Sequence, residues 1–332
     1  MAGAELRWLA VAVLWLSVSA PGVQGLIARP ALPPRGWNSY DSFGASNGTE
    51  TVEVAAAISK SLAPFGYQYV TIDEGWFRES DNSIALDQWG RMIPAKSKYP
   101  FANGSFRELA TTLRIRNLTL GLWTMFGVPA DAVARRLPIR NSTYTADQIS
   151  LGVNTTCPWA QNLTYAINTT HPGGQAYYAS LVELYEEWGI GMVMTLWSFS
   201  GSPLIFGGDA RTTTEDDIAV LTNTDILDAQ KYISNFQLRR LVTEGPVEIW
   251  SGDNADPNAG SDAFYIAAFN LGNATVDLDI PFPQIGLGGH KYQLLELWTG
   301  LPTAPADRLR QTIRPNSVLA FRATVASADE AV

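Results

Sequence analysis

Apolar positions follow one another at helical spacing over the first two thirds of the chain and alternate in short strand-like runs over the last third. Residues 33–40 (PPRGWNSY) and 67–76 (YQYVTIDEGW) read as two strands. Between them Val52, Ala55, Ala56 and Leu62 recur at helical spacing, and Pro64 and Gly66 stop the helix. This is a strand-helix-strand unit. The second strand is apolar through Val70 and Ile72 and turns acidic at Asp73 and Glu74, a change expected where a buried strand surfaces into a pocket.

The pattern then predicts a helix over 105–116, a third strand over 118–126, and an aperiodic stretch over 127–174, expected to be an elaborated loop across a barrel mouth. A helix over 173–189 carries Ala176, Ala179, Leu181, Leu184, Tyr185 and Trp188 on one side. A strand follows over 203–209, and Thr214 with Asp217 forms a capping pattern that opens a helix running on to about Gln230. From about Phe236 the runs 247–253, 263–272, 276–281, 291–300 and 317–325 alternate apolar and polar residues between Gly, Asn and Pro turns. That is the pattern of an antiparallel β-sandwich, and it puts a domain boundary near residue 232, between 26–231 and 232–332.

At 332 residues there is material for two domains. The net charge of −9, without a basic face, argues against nucleic acid as a partner. Eleven Trp suit either stacking on sugar rings or core packing. Residues 1–25 have the form of a secretory leader, with Arg7, an apolar run over 8–18 and small residues before a cleavage point. That run is short for a membrane span, so none is expected in the mature chain. Eight N-x-[ST] sequons, at Asn47, Asn103, Asn117, Asn141, Asn154, Asn162, Asn168 and Asn273, fit a glycoprotein of the secretory pathway, extracellular or in the lysosome or vacuole. The single cysteine, Cys157, is a buried free thiol, an intermolecular bridge or a thiol whose partner is missing. Two histidines, His171 and His290, leave little for a metal site or a Ser-His-Asp triad, so neither metal nor cofactor is expected and the chemistry rests on carboxylates.

GWNSY at Gly36, IDEGW at Ile72, TCPW at Thr156, HPGGQAY at His171, and the run from TLW at Thr195 through SPLIFGGDAR to Arg211 occur in that order. Together they resemble glycoside hydrolase family 27, nearest to its α-galactosidase-like (melibiase) members. The resemblance implies a (β/α)8 TIM-type barrel followed by a C-terminal antiparallel β-sandwich. Its function would be hydrolysis of terminal α-D-galactosyl groups, with α-galactoside-containing saccharides as partners and no stated oligomeric state. It also implies that Asp73 and Glu74 hold the sugar hydroxyls while Trp37 and Trp123 form an aromatic wall. On the residues alone, a solvated acidic corner and core packing are the alternatives.

The family's nucleophile lies on a fourth strand, in a run like D-F-[IV]-K-x-D-C after a W-G-[VI] helix end. Here Trp188-Gly189-Ile190 runs directly into Gly191-Met192-Val193-Met194-Thr195-Leu196-Trp197, which reads as the helix before the last barrel strand. Three or four strand-helix units of roughly 30 residues each are therefore expected to be missing at about 190/191. The nucleophile and acid/base would go with them, and no catalytic residue can be assigned. The resemblance also makes Cys157 similar to a cysteine whose partner lies in the missing segment. The chain reads as an internally truncated α-galactosidase relative of doubtful activity; the other readings are a non-catalytic secreted glycan-binding protein and an unstable product.

Overall fold

The computed structural model describes residues 33–154, 163–194, 204–239, 246–260 and 262–326. The TCPW motif with Cys157 and the run from Thr195 to Pro203 lie outside them. The N-terminal part is built from β1 (Arg35–Asn38), α1 (Tyr40–Phe43), α2 (Gly48–Ser61), β2 (Tyr67–Ile72), α3 (Arg107–Arg114) and β3 (Thr119–Trp123). Next come β4 (Val128–Pro129), α4 (Ala130–Ala134), α5 (Ala146–Ile149), β5 (Ser150–Asn154), β6 (Thr164–Ile167) and α6 (Pro172–Trp188). Then follow β7 (Met192–Met194), β8 (Leu204–Phe206), α7 (Glu215–Leu221) and α8 (Thr224–Tyr232).

Five of these strands form a parallel sheet in the order β7-β3-β2-β1-β8. That is an incomplete barrel of the (β/α)8 type: strands one to four stand in sequence, and β8 lies beside β1 where a closed barrel would put its last strand. Residues 191–194 thus differ from the helix expected of them. Gly191 donates its N–H to the Leu120 carbonyl at 3.0 Å, and β7 runs parallel to β3 as a short fourth strand. Three apolar residues are too few to separate a strand from a helix by period alone.

Helix α2 starts at a capping box, in which Asn47 accepts from the Glu50 N–H and Glu50 accepts from the Asn47 N–H. Its buried stripe is Thr51, Val54, Ala55 and Ile58, continued by Leu62, whereas Ala56 faces solvent. The stripe packs with Val70, Ile72, Leu120 and Leu122 in one core. Helix α6 is opened by Pro172 and by the His171 Nδ1, which accepts from the Gly173 N–H, and is closed by Gly189 in the left-handed region at φ 77°. Trp188 near its end meets Trp76 and Phe106 edge to face. Arg91, paired with Asp87 at 2.7 Å, donates to the Ser180 carbonyl at 2.8 Å and so ties the helix to the long excursion after β2.

The stretch over 127–174 is more ordered than its aperiodic sequence suggested. Strands β4, β6 and β5 form an antiparallel sheet in that order, and Ala132, Ile139, Ala146 and Ile149 are buried in the core of the barrel part. The elements are two to five residues long, below the length at which periodicity shows.

The C-terminal strands are β9 (Ile233–Arg239), β10 (Val247–Asn254), β11 (Phe264–Asn270), β12 (Val276–Pro281), β13 (Tyr292–Glu296), β14 (Arg308–Ile313) and β15 (Ser317–Val325). They form a five-stranded sheet, β13-β15-β11-β10-β9, and a two-stranded one, β12-β14. All the pairs are antiparallel. Ile266, Ala268 and Phe321 from the first sheet meet Leu278, Ile280, Leu309 and Ile313 from the second in a core of their own. Asn223 caps α8 through its Oδ1 and donates Nδ2 to the Leu297 carbonyl at 2.9 Å, linking the helical part to the sandwich.

Candidate functional site

Parallel strands bring their C-terminal ends to one edge of the sheet. That edge gathers Asn38 to Tyr40 after β1, Asp73 and Glu74 after β2, Trp123 and Thr124 at β3, and Gly207 to Asp209 after β8. Register decides which side each residue takes. Trp37 lies opposite Val70 and Phe206, and Val70 opposite Leu120, so these share the helix-covered face. Asn38 lies opposite Thr71, and Thr71 opposite Gly121. By the two-residue alternation of strands, Asp73 and Trp123 follow on the lumen side with them. Two glycines make room there: a Cβ on Gly36 would stand 2.4 Å from the Tyr69 carbonyl oxygen, and one on Gly121 would stand 2.4 Å from the Thr71 Oγ1.

Asp73 is 8% exposed. Its Oδ2 accepts from the Asn38 Nδ2 at 2.6 Å, and its Oδ1 accepts from the Glu74 N–H at 2.7 Å. Its own N–H donates to the Ser39 Oγ at 3.0 Å. The carboxylate is thereby fixed in orientation while each oxygen keeps acceptor capacity for a hydroxyl, since an ionised carboxylate has about four acceptor sites. Glu74 turns toward Arg78, 3.6 Å away. Burial raises its proton affinity above the ordinary glutamate range, Arg78 opposes that, and Asp73 adds to it. Lys98, which donates to the Gly75 carbonyl at 2.6 Å, is pushed below its ordinary value by burial and then by Arg78.

The aromatic wall differs from the sequence expectation. Trp37 is 0% exposed, donates its indole N–H to the Gly208 carbonyl at 2.9 Å and meets Phe43 edge to face. It is a core residue, because it falls on the helix-covered face. The ring that stands open beside Asp73's partner Asn38 is Tyr40, 62% exposed, whose N–H donates to the Asn38 Oδ1 at 2.8 Å. The second aromatic of GWNSY lies beyond the strand, where alternation no longer hides it. Trp123 is half-buried, and its carbonyl accepts from the Trp76 indole at 2.8 Å. Phe126, just past β3, is a further exposed ring.

Asp209, at the β8 end, is engaged elsewhere. Arg211 donates Nε to its Oδ1 at 2.9 Å and Nη2 to its Oδ2 at 2.7 Å, and reaches Glu53 at 2.6 Å with Nη1. Hydrogen bonds from Arg211 hold the Asp209 carboxyl below the usual range, so it is an ionised partner of a surface guanidinium rather than a proton donor. Among the described residues no group of His, Cys, Asp and Glu could hold a metal ion, and no helix is long and apolar enough to cross a membrane.

Residues 244–323 match the alpha galactosidase C-terminal beta sandwich domain. The chain is 20% identical over 349 positions to an alpha-galactosidase of Coffea arabica, covering 81% of this chain and 89% of that one. That alignment is longer than this whole chain while using only part of it, so the coffee protein carries residues opposite gaps here. Alpha-galactosidase 3 of Arabidopsis thaliana is 24% identical over 330 positions, covering 77% of this chain and 72% of that one. In fold, a GH27 β-L-arabinopyranosidase from Geobacillus stearothermophilus superposes with a TM-score of 0.79 at 19% identity, over 90% of this chain and 97% of that one. The ordered motifs, the incomplete barrel, the sandwich match and these relatives agree in what they support, an α-galactosidase-like protein of glycoside hydrolase family 27.

Proposed function

We propose that this chain recognises terminal α-D-galactosyl groups of oligosaccharides or glycoconjugates through Asp73, Glu74, Tyr40 and Trp123, and that as it stands it does not hydrolyse them. The family reaction, α-galactosidase hydrolysis with retention of configuration, needs a nucleophilic carboxylate and a carboxylic acid about 5–5.5 Å apart across the scissile bond. One observation carries the reading. From Gly191 to Gly208, the stretch that runs from the fourth strand to the turn after the last one, the sequence is GMVMTLWSFSGSPLIFGG and contains no Asp or Glu. Neither carboxyl can come from these strand ends. Of the acids that do reach the edge, Asp73 is oriented by Asn38 and the Glu74 N–H, and Asp209 is held by Arg211. The extra residues of the coffee relative support a missing internal segment. The leader-like residues 1–25 and the sequons support a secretory-pathway setting, extracellular or lysosomal/vacuolar.

The test has two arms on the purified full chain. Calorimetric titration with galactose and melibiose is expected to show saturable binding that Asp73→Ala removes, and an aryl α-galactoside is expected to remain uncleaved. A cooperatively folded protein that binds neither sugar would overturn recognition. Turnover that disappears in Asp73→Ala would overturn the non-catalytic part.

A further inference from the structure

Three of the five most exposed large hydrophobic side chains among the described residues share one sequence position. Phe101 is 88% exposed, Ile115 78% and Leu271 62%, and each stands two residues before the asparagine of a sequon: Asn103, Asn117 and Asn273. The other two are Tyr40, at the candidate site, and Leu301. Scattered exposed apolar residues are ordinary, but a shared offset from a modification signal is not accounted for by that.

The local geometry presents these asparagines outward. Asn103 and Gly104 have φ of 44° and 75°, and the Ser105 N–H closes the turn on the Ala102 carbonyl at 2.8 Å. Asn103 therefore projects from the tip of a tight turn whose two central residues are left-handed. Asn117, φ 57°, follows the end of α3, where its N–H bonds to the Arg114 carbonyl at 2.9 Å. Asn103, Asn117 and Asn273 are all exposed. Two residues of chain span at most about 7 Å. The first sugar on each asparagine is thus within reach of the apolar side chain before it, and a pyranose offers a C–H face that an apolar or aromatic group can cover. Phe101 also borders a largely apolar cavity of about 400 Å³ with Val52, Phe106 and Leu109, so the sugar at Asn103 would extend over its rim.

We propose that Asn103, Asn117 and Asn273 carry N-linked glycans whose first N-acetylglucosamine covers Phe101, Ile115 and Leu271. The sugars then do for these side chains what burial does for others: they remove apolar surface from water. The proposal rests on the secretory reading and is independent of galactoside binding.

The full chain, expressed with its own leader in eukaryotic cells, is read by glycopeptide mass spectrometry and by binding of a hydrophobic dye. Occupancy is expected at all three asparagines. Trimming each glycan to a single N-acetylglucosamine should leave dye fluorescence unchanged, whereas removing that last sugar should raise it severalfold. In the variant Phe101→Ser, Ile115→Ser, Leu271→Ser, removal should have little effect. The substituted side chains are exposed, so the variant keeps the fold. Empty sites at Asn103, Asn117 and Asn273 overturn the proposal, whether other sequons are filled or none is. So does a fluorescence rise of the same size in the triple-serine variant.

Discussion

Replacing Trp37 by alanine separates a wall residue from a core residue. A buried tryptophan removes about 150–250 Å² from water, which at about 25 cal/mol per Å² is on the order of 4–6 kcal/mol. Measured truncations of buried aromatic residues cost about 3–5 kcal/mol. The 0% exposure of Trp37 calls for the full figure, and the Gly208 carbonyl, which accepts its indole N–H, loses a partner as well. Against a total stability of about 5–15 kcal/mol, Trp37→Ala should bring the barrel part close to unfolding. With a urea dependence of about 3 kcal/mol per M, the midpoint should fall by at least about 1 M. Trp37→Phe keeps most of the apolar contact and isolates the hydrogen bond, so it should cost about 1–3 kcal/mol. Trp123→Ala acts in the other direction: the ring is half-buried on the lumen face, so the urea midpoint should move less while galactose binding weakens by about three- to tenfold. Urea melts followed by tryptophan fluorescence and calorimetric sugar titrations on the three variants measure both effects. A Trp37→Ala protein that melts like the parent and has lost only sugar binding would refute the register argument.

Two further expectations follow from charge and packing. Glu74 holds its proton more tightly folded than unfolded, so its contribution to stability declines as pH rises from the ordinary glutamate value, about 4.3, through its raised one. Urea midpoints of Glu74→Gln and the parent, compared from about pH 4 toward neutrality, should therefore diverge in favour of the variant; parallel profiles would count against a raised value. A fragment beginning at Ile233, the first residue of β9, should melt cooperatively by circular dichroism, because its two sheets share a core distinct from that of the barrel part. A broad, non-cooperative loss of signal would mean that the contacts of Asn223 with Leu297 and of Asp225 with Arg322 are indispensable to it.

What the sequence made legible is what long periodic segments carry. The β1-α2-β2 unit, α3, α6 and most of the sandwich strands stand where apolar spacing and the Gly and Pro breaks put them. The acidic pair stands at a strand end, where the change from Ile72 to Asp73 and Glu74 announced it. The side of the sheet that each residue takes was not legible, since it depends on which strand pairs with which: only the register with Val70 shows that Trp37 faces the helices. Strand β14 was missed because Arg308, Arg310 and Thr312 alternate with just Leu309 and Ile313, a weak apolar signal for an outer pair of strands. That Asp209 is tied to Arg211, two residues on, by two hydrogen bonds was likewise not legible.

The order of strands also bears on the proposal that recognition and turnover part company in this chain. Asp73 and Glu74 follow β2, the central strand, flanked on both sides by parallel ladders to β1 and β3. The helix behind them is capped at its start and buried along one face. Everything that orients Asp73 comes from β1, β2 and the turns that follow them: Asn38, Ser39 and the Glu74 N–H. On the proposed reading, the strands missing between β7 and β8 would come from the open side of the sheet and leave this part of the edge intact. On the same reading the chemistry would not survive, since holding a sugar in its ground state does not lower the barrier to cleaving it. Proton transfer by a positioned carboxyl alone is commonly worth about 10²–10⁴ in rate, and covalent catalysis needs a second carboxylate that the 191–208 stretch cannot supply. On the proposed reading, a sheet that keeps its centre and loses its flank would keep a sugar-binding edge and lose the reaction.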